Sequence, residues 1–215
     1  MITKEEYNKY AEDGFNVIPL IKNINLVSHS PVEIYSKIKD KKNSFLLESV
    51  EGGENWAQYS IVGIDCRNTI KISGKNIEIK TDEDLNLFES EDPLNELNKI
   101  ISKYKSPNIK NMPRFYGGYV GFFAYESAQY SEKKIESLPK KESKFEEHMP
   151  EIYLVKSEKL IVYDNFSKSI QVIYNSDPSK TSYDEAIQKL KKIEDSIEKS
   201  SPYMNPSYKK VLGQL

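Results

Sequence analysis

The sequence predicts an α+β protein built as an antiparallel β-sheet sandwich with flanking helices. Apolar and polar residues alternate on both sides of short turns, which indicates hairpins, and hairpins pair their strands antiparallel. Apolar residues also recur at helical spacing after capping residues, which indicates amphipathic helices between and after the strands. Together these patterns predict roughly eight or nine strands.

The predicted elements follow one another along nearly the whole chain. They are, in order, a helix at 3–14, an edge strand at 15–27, a helix at 30–40, strands at 43–49 and 59–65, a hairpin at 68–81, a loop at 81–93, a helix at 93–105, a buried strand at 114–127, a loop at 133–150, a three-strand meander at 151–175 and a helix at 182–199. Residues 1–200 are taken as one domain. Residues 201–215 break the helical pattern and are taken as a linker.

Capping boxes mark the starts of two of these helices. Ser30 and Glu33 form one around Pro31, which suits the first helical position. Ser182 and Glu185 form the other. The residues predicted to face inward are Val32, Tyr35 and Ile38 in the helix at 30–40, Leu94, Leu97, Ile100, Ile101 and Tyr104 in the helix at 93–105, and Ala186, Ile187, Leu190, Ile193 and Ile197 in the last helix.

Alternation and glycine or proline content carry the strand predictions. Two alternating runs joined by the turn S-G-K-N predict a hairpin. Its apolar positions are Ile70, Ile72, Ile77 and Ile79. One proline within 15–27 favours an edge strand, since proline cannot donate to a sheet ladder. Glycines in an aromatic strand indicate close backbone approach. These glycines are Gly117, Gly118 and Gly121.

Composition excludes several classes of protein. The chain has 215 residues, of which 38% are hydrophobic, and Lys+Arg 31 against Asp+Glu 33 give a net charge of -2. That balance predicts no nucleic-acid or membrane surface. The N-terminus has no apolar signal segment, and no run approaches the roughly 18 apolar residues of a membrane helix. The single cysteine, Cys66, is interpreted as a free buried thiol, which is typical of a reducing compartment, so a cytoplasmic location is expected.

No catalytic constellation emerges from the motifs. His29 and His148 lie in polar loops without a partner at metal-ligand spacing. Cys66 has no histidine near it in sequence, and the glycines of 117–121 do not match a dinucleotide fingerprint. The sequence therefore predicts no catalytic residue, no metal ligand and no cofactor in this chain.

One segment, 44–63, nevertheless has a pattern that a simple connector would not require. Two predicted strands flank a polar turn that contains the only tryptophan, Trp56. Glu48 ends an apolar strand, where an unpaired carboxylate is costly, so a partner for it is predicted. Ser49 and Ser60 stand at the strand ends and would meet near the mouth of the turn if the strands form a hairpin. From the residues alone, a structural role for the two serines is the favoured interpretation.

Five sequence blocks, taken in order, resemble the N-terminal region of anthranilate synthase component I. The most specific are L-L-E-S-x-x-x-G at 46–53 followed by Y-S-x-x-G at 59–63. Both belong to the block at 44–63. The G-G-x-x-G-x-x-x-Y block at 117–125 is the second anchor, and the segments at 15–24, 30–38 and 149–165 complete the series. The resemblance runs from residue 15 to the last helix, which is nearly the whole chain.

The resemblance implies an enzyme family that converts chorismate to anthranilate, the first committed step of tryptophan synthesis. Its members fold as a sandwich of two roughly orthogonal antiparallel sheets, require Mg²⁺, and take ammonia from a glutamine amidotransferase partner subunit. Their chorismate and magnesium residues lie in a C-terminal half. Since this chain stops at Leu215, we expect that catalytic domain to be absent and the chain to be inactive alone. Exposed sheet edges where that domain would pack predict self-association.

The resemblance also implies a feedback site for L-tryptophan along the L-L-E-S segment. Carried over position by position, the predicted effector residues are Leu47, Glu48, Ser49, Tyr59 and Ser60. Three alternatives stay open at this point. They are the homologous aminodeoxychorismate synthase component I of folate synthesis, a stand-alone amino-acid-binding module, and a scaffold domain with a degenerate site.

Overall fold

The computed structural model describes residues 1–24, 30–38, 43–48, 59–132 and 149–198. These residues form four α-helices, one 3₁₀ helix and ten strands. The elements are α1 (Lys4–Glu12), β1 (Ile18–Ile24), α2 (Pro31–Ile38), β2 (Phe45–Leu47), β3 (Tyr59–Gly63), β4 (Thr69–Ser73), β5 (Asn76–Lys80), β6 (Leu85–Glu89), α3 (Pro93–Ser102), β7 (Gly118–Phe123), the 3₁₀ helix (Tyr125–Tyr130), β8 (Ile152–Ser157), β9 (Lys159–Asp164), β10 (Ile170–Ser176) and α4 (Tyr183–Glu198).

The strands make two five-stranded sheets in which every pairing is antiparallel. The first sheet has the order β1-β10-β9-β3-β2, and the second has the order β6-β5-β4-β8-β7. The predicted α+β class with antiparallel sheets is thereby confirmed. So are the edge position of β1 and the hairpin between β4 and β5, in which Ile70 faces Ile79 and Ile72 faces Ile77.

The predicted three-strand meander at 151–175 is wrong at its first turn. The strand β8 pairs with β4 and β7 in the second sheet, whereas β9 pairs with β3 and β10 in the first sheet. Only Glu158 separates β8 from β9, so the chain passes from one sheet to the other at a single residue. The alternation within each strand was interpreted correctly, but alternation does not identify the neighbouring strand.

Helices α1, α2 and α4 cover one face of the first sheet. A buried cluster joins Tyr7 of α1, Ile34 and Ile38 of α2, and Leu190 of α4 to apolar residues of β1, β3, β9 and β10. Both predicted capping boxes are present. The Ser30 amide donates to the Glu33 carboxylate at 2.7 Å, and the Ser182 amide donates to the Glu185 carboxylate at 2.9 Å.

Two predicted inward faces need correction. In α2 the buried positions are Pro31, Ile34 and Ile38, and Val32 is 52% exposed. In α3, which packs on the second sheet through Leu97, the side chain of Ile101 is 41% exposed. Tyr104, just beyond α3, is 40% exposed. The buried side of α2 is rotated from the predicted one, whereas α3 turns a narrower stripe toward its sheet than the apolar pattern suggested.

Two strand predictions also differ from the structure. The acidic segment 81–93, predicted as a loop, contains β6, whose exposed leucines alternate with a half-buried Phe88. The strand β7, predicted to be buried, lies at the edge of the second sheet with Phe123 exposed. The acidic residues of segment 81–93 favoured a loop over a strand. The aromatic residues of segment 114–127 favoured a buried strand over an edge strand.

Three glycines, one just before β7 and two within it, stand where a larger residue would clash or be strained. A Cβ at Gly121 would overlap the carbonyl oxygen of Tyr153, and a Cβ at Gly117 would lie 2.6 Å from the Asn175 amide nitrogen. Gly118 instead has a φ of +121°, a conformation that glycine adopts without strain. Close backbone approach is therefore confirmed at Gly117 and Gly121, while Gly118 is required for its backbone angle.

We predict that Gly121→Ala lowers the free energy of unfolding by about 3 kcal/mol, because the methyl group meets backbone that cannot move aside. The matched control is Gly74→Ala in the β4–β5 turn. An added Cβ there meets no atom within 4 Å, and only its φ of +58° is unfavourable for alanine. That control should cost about 1 kcal/mol. Urea unfolding measures both, and equal losses would contradict the steric argument.

Candidate functional site

The strands β2 and β3 bring part of the predicted effector segment together. They pair antiparallel with Leu47 opposite Ile61, so these two predicted strands are neighbours in the sheet. Side chains alternate along a strand, and Tyr59 therefore shares a sheet face with Ile61 and Leu47. This is the face of the first sheet that points away from α1, α2 and α4, as the packing of Ile61 and Tyr59 against Leu160 and Val162 shows.

Leu47 and Tyr59 together form an apolar patch at the end of that face. Leu47 is 46% exposed, and Tyr59 is half-buried. Further along the same face, segment 112–116 covers the sheet through Met112, Phe115 and Tyr116. Among the described residues, Leu47 and Tyr59 are the members of this face nearest the predicted effector segment. We call Leu47 and Tyr59 the β2–β3 patch.

Ser60 lies on the opposite side of the sheet. It pairs with Tyr163, is 0% exposed, and accepts a hydrogen bond from the Asn165 amide at 3.3 Å. Its hydroxyl is thus part of the interior beneath the helices. Since Tyr59 and Ser60 project to different faces, the structure does not bring Ser60 to the β2–β3 patch.

Glu48 follows β2 directly and is exposed. Water can solvate an exposed carboxylate, so the desolvation cost that motivated a partner does not arise here. The carboxylate is instead available at the surface beside Leu47. Ser49, Glu51, Glu54 and Trp56 lie outside the described residues, as do His29 and His148.

A second feature, a cavity where the two sheets meet, was missed by the sequence reasoning. It has a volume of about 410 Å³ and is lined by residues of β7, β8 and β10 and by the segment after α3. Among its lining residues are Ser106, Ser157 and Asn175. The G-G-x-x-G block supplies Gly117, Gly118 and Tyr119 to its wall, but the other lining residues lie far apart in the chain, so the block alone does not indicate a cavity. We call it the inter-sheet cavity.

Cys66 is a buried free thiol, as predicted, with 2% exposure. The pKa of the thiol is raised to about 12, first by burial and then by the nearby Glu158 and Asp65 carboxylates, while Lys159 lowers it. Asp65 is half-buried, which alone would raise its pKa. Hydrogen bonds from Arg67 and Lys159 outweigh that effect, so the pKa of Asp65 lies below its ordinary value. Cys66 is therefore poorly suited to act as a nucleophile.

Across the described ranges, no group of three or more His, Cys, Asp or Glu residues could hold a metal ion. A helix long and apolar enough to cross a membrane is likewise not found there. The fold thus defines a class of protein: an α+β domain with two five-stranded antiparallel sheets and flanking helices.

Comparison with known proteins narrows this class. No protein-family model matches the chain. It is 36% identical over 179 residues to anthranilate synthase component 1 from Pseudomonas aeruginosa, which covers 83% of the chain and 36% of the relative. It is 32% identical over 201 residues to the protein of the same name from Neisseria meningitidis serogroup B, covering 93% of the chain and 41% of the relative.

A solved structure agrees at the level of the fold. Anthranilate synthase component I from Streptococcus pneumoniae matches with a TM-score of 0.52 at 22% identity, over 84% of this chain and 37% of that one. By this homology the chain belongs to the anthranilate synthase component 1 family, and the predicted resemblance is confirmed. The chain spans about two fifths of the length of the curated relatives it matches, 36% and 41% in the two cases above.

We predict that Cys66 in the folded protein reacts with a chromogenic disulfide reagent at pH 8 at least about 1,000-fold more slowly than in denaturant, because only about one thiol in 10⁴ is ionised and the sulfur is buried. Raising the pH toward 10 should speed the reaction. The unfolded protein in urea provides the control rate. A native rate within tenfold of that control would show that the thiol is accessible.

Proposed function

We propose that this chain is the tryptophan-sensing, regulatory part of an anthranilate synthase component I, the enzyme that converts chorismate to anthranilate. The observation that carries the proposal is homology to anthranilate synthase component 1 over 83% and 93% of the chain in the two relatives above. The β2–β3 patch supports it, because the segment that resembles the family's effector site supplies an exposed apolar surface next to a carboxylate.

The ligand's chemistry suits this surface. The indole of tryptophan is a large flat apolar group that would lie against Leu47 and Tyr59. The ammonium would pair with the exposed Glu48 carboxylate, a contact of about 1 kcal/mol or less at a solvated surface. Ser49, next in sequence, would add a hydroxyl. Ser60 would act only indirectly, by holding β3 through its hydrogen bond from Asn165.

The β2–β3 patch can contact only one side of a ligand. A drug-sized or amino-acid ligand usually has most of its surface enclosed. We therefore propose that these residues form one wall of the effector site and that a catalytic, chorismate-binding region of the complete enzyme forms the other. Inhibition would follow by linkage, with tryptophan binding better to the state that binds chorismate poorly, by about 1–3 kcal/mol of coupling.

The remaining parts of the proposal concern the complete enzyme. It would require Mg²⁺ and take ammonia from a glutamine amidotransferase subunit, component II. The donor groups of the described residues do not fit a metal site, so no Mg²⁺ ligand is assigned here. A cytoplasmic location is proposed because Cys66 is a free buried thiol.

The relatives reported above favour the anthranilate branch over aminodeoxychorismate synthesis, since both carry the name anthranilate synthase component 1. The product made from chorismate by the complete enzyme separates the two branches. Formation of aminodeoxychorismate would overturn the proposed reaction while leaving the effector site untouched. A stand-alone module or a scaffold with a degenerate site would give no chorismate-dependent activity in any longer form of the protein.

We predict that Leu47→Ser weakens L-tryptophan binding to the complete enzyme about tenfold in titration calorimetry, because half of a leucine-sized contact with the indole is lost. The matched control is Leu87→Ser in β6, a strand leucine that is 64% exposed and lies in the other sheet. The control should bind tryptophan as the parent protein does. Equal effects of the two substitutions would remove the β2–β3 patch from the site.

We also predict that Ser49→Phe relieves tryptophan inhibition in the complete enzyme, because the added ring occupies the indole position. Ser73→Phe is the control, since Ser73 is an exposed serine at the end of β4. Inhibition curves for anthranilate formation measure the effect. Unchanged tryptophan sensitivity in the Ser49 variant would refute the assignment of that residue.

A further inference from the structure

The inter-sheet cavity has the features of a second ligand site. Its volume of about 410 Å³ falls in the range of small-molecule pockets. The residues that line it include none from β2 or β3, whereas Leu47 lies in β2 and Tyr59 lies in β3. The cavity is therefore distinct from the β2–β3 patch.

Polar atoms without partners are concentrated at this cavity. Among the described residues, five buried side-chain oxygens have no hydrogen-bond partner, and three of them belong to residues that line the cavity: Ser106 Oγ, Ser157 Oγ and Asn175 Oδ1. Ser157 is 2% exposed and Asn175 is 6% exposed. Folded proteins pair nearly all such groups, because an unpaired one is costly. Three together indicate a set of groups that a bound molecule would satisfy.

The Asn175 side chain is held in place by its own amide hydrogens. The NH₂ group donates to the Tyr116 carbonyl at 2.7 Å and to the Ser157 carbonyl at 3.4 Å. Gly117 permits this approach, because a Cβ there would lie 2.6 Å from the amide nitrogen. With its nitrogen anchored in this way, the asparagine has only the Oδ1 acceptor to offer. The site therefore needs a ligand that donates one hydrogen bond.

The two serine hydroxyls can donate hydrogen bonds to the ligand, which Asn175 cannot. A hydroxyl can donate as well as accept, so Ser106 and Ser157 can both donate to an acceptor on the ligand. A molecule with a donor and an acceptor on the same small group would satisfy Asn175 and the serines at once. A planar primary carboxamide has this arrangement.

The walls of the cavity are aromatic and carry no unbalanced charge. The Tyr104 and Tyr119 rings lie 5.9 Å apart, and the Tyr119 hydroxyl donates to the Tyr104 hydroxyl at 3.3 Å. Lys156 Nζ lies 4.3 Å from the Tyr104 ring centroid and pairs with the Glu158 carboxylate at 2.9 Å. Burial, and then the hydrogen bond with Tyr104, raise the pKa of Tyr119, so its phenol stays neutral. These walls favour an uncharged ring over an anion or cation.

We propose that the inter-sheet cavity binds a neutral, planar aromatic molecule that carries a hydrogen-bond donor and acceptor together, as a primary carboxamide does. The ring lies against Tyr104 and Tyr119. The carboxamide NH₂ donates to Asn175 Oδ1, and its oxygen accepts from Ser106 and Ser157. This site does not depend on the proposed tryptophan-sensing function.

Benzamide is the probe, and a chemical-shift titration of the 215-residue chain by NMR is the measurement. We expect a Kd of about 1 mM, with the largest shifts at Gly117, Gly118 and the Asn175 side-chain amide. Benzoate, which has no donor and a negative charge, and toluene, which has no polar group, should each bind at least about tenfold more weakly. Equal binding of all three, shifts centred elsewhere, or no shift at ten times the expected Kd would overturn the proposal.

Two serine variants distinguish a hydroxyl that binds the ligand from a hydroxyl that stabilises the fold. Ser157→Ala removes a hydroxyl that has no partner, so we expect thermal stability to be kept and benzamide affinity to fall about fivefold to tenfold. The matched control is Ser176→Ala, which removes an equally buried hydroxyl that is hydrogen-bonded to the Tyr7 hydroxyl at 2.7 Å. That control should lose stability and keep its affinity for benzamide.

Ser106→Ala serves as a second ligand-group variant if the Ser157 variant does not fold. Unchanged benzamide affinity in whichever folded variant is measured would show that the cavity's serines bind no ligand and that the space holds water alone. Reduced affinity with retained stability supports the site.

Discussion

The backbone around Glu158 holds the two sheets of this protein together. The backbone N–H of Asn175 in β10 donates to the Glu158 carbonyl at 2.8 Å, and the backbone N–H of Ile64 after β3 donates to the Lys159 carbonyl at 3.0 Å. The Glu158 carboxylate accepts from Asn68 at 3.1 Å, just before β4, and from Lys156 at 2.9 Å. One residue therefore ties strands of both sheets to one point. Because the chain changes sheets there without a loop, the positions of β8 and β9 are coupled.

This coupling explains the features that surround the crossing. Since β8 and β10 diverge into different sheets at Glu158, a space opens between them, and the inter-sheet cavity occupies it. Asn175 spans part of that space with its side chain, and Gly117 is required because the amide leaves no room for a Cβ. Cys66 and the Asp65–Lys159 ion pair lie on the other side of the same crossing, where burial keeps the thiol inert. Packing, cavity and electrostatics thus follow from one backbone constraint.

Sequence patterns over a few residues predicted helix caps and hairpins well. They predicted poorly which elements pack against each other. The capping boxes at Ser30 and Ser182 mark true helix starts, because capping depends on residues three positions apart. The hairpin between β4 and β5 was found for the same reason. The burial of Val32 and Ile101 was wrong, because which side of a helix is covered depends on the element that packs against it. For the candidate site, sequence placed Leu47 and Tyr59 on paired strands, but it could not tell that Ser60 faces the interior beneath the helices.

Sequence alone determined the antiparallel α+β class, most of the elements and the resemblance to the anthranilate synthase component 1 family, because those depend on periodicity, turn residues and ordered motifs within short stretches. Only the tertiary structure decided that β8 and β9 belong to different sheets, that β7 is an edge strand, and that Ser106, Ser157 and Asn175 surround one cavity. The reason is physical. Alternation states which face of a strand is apolar, but partner choice and cavity formation arise from contacts between residues far apart in the chain.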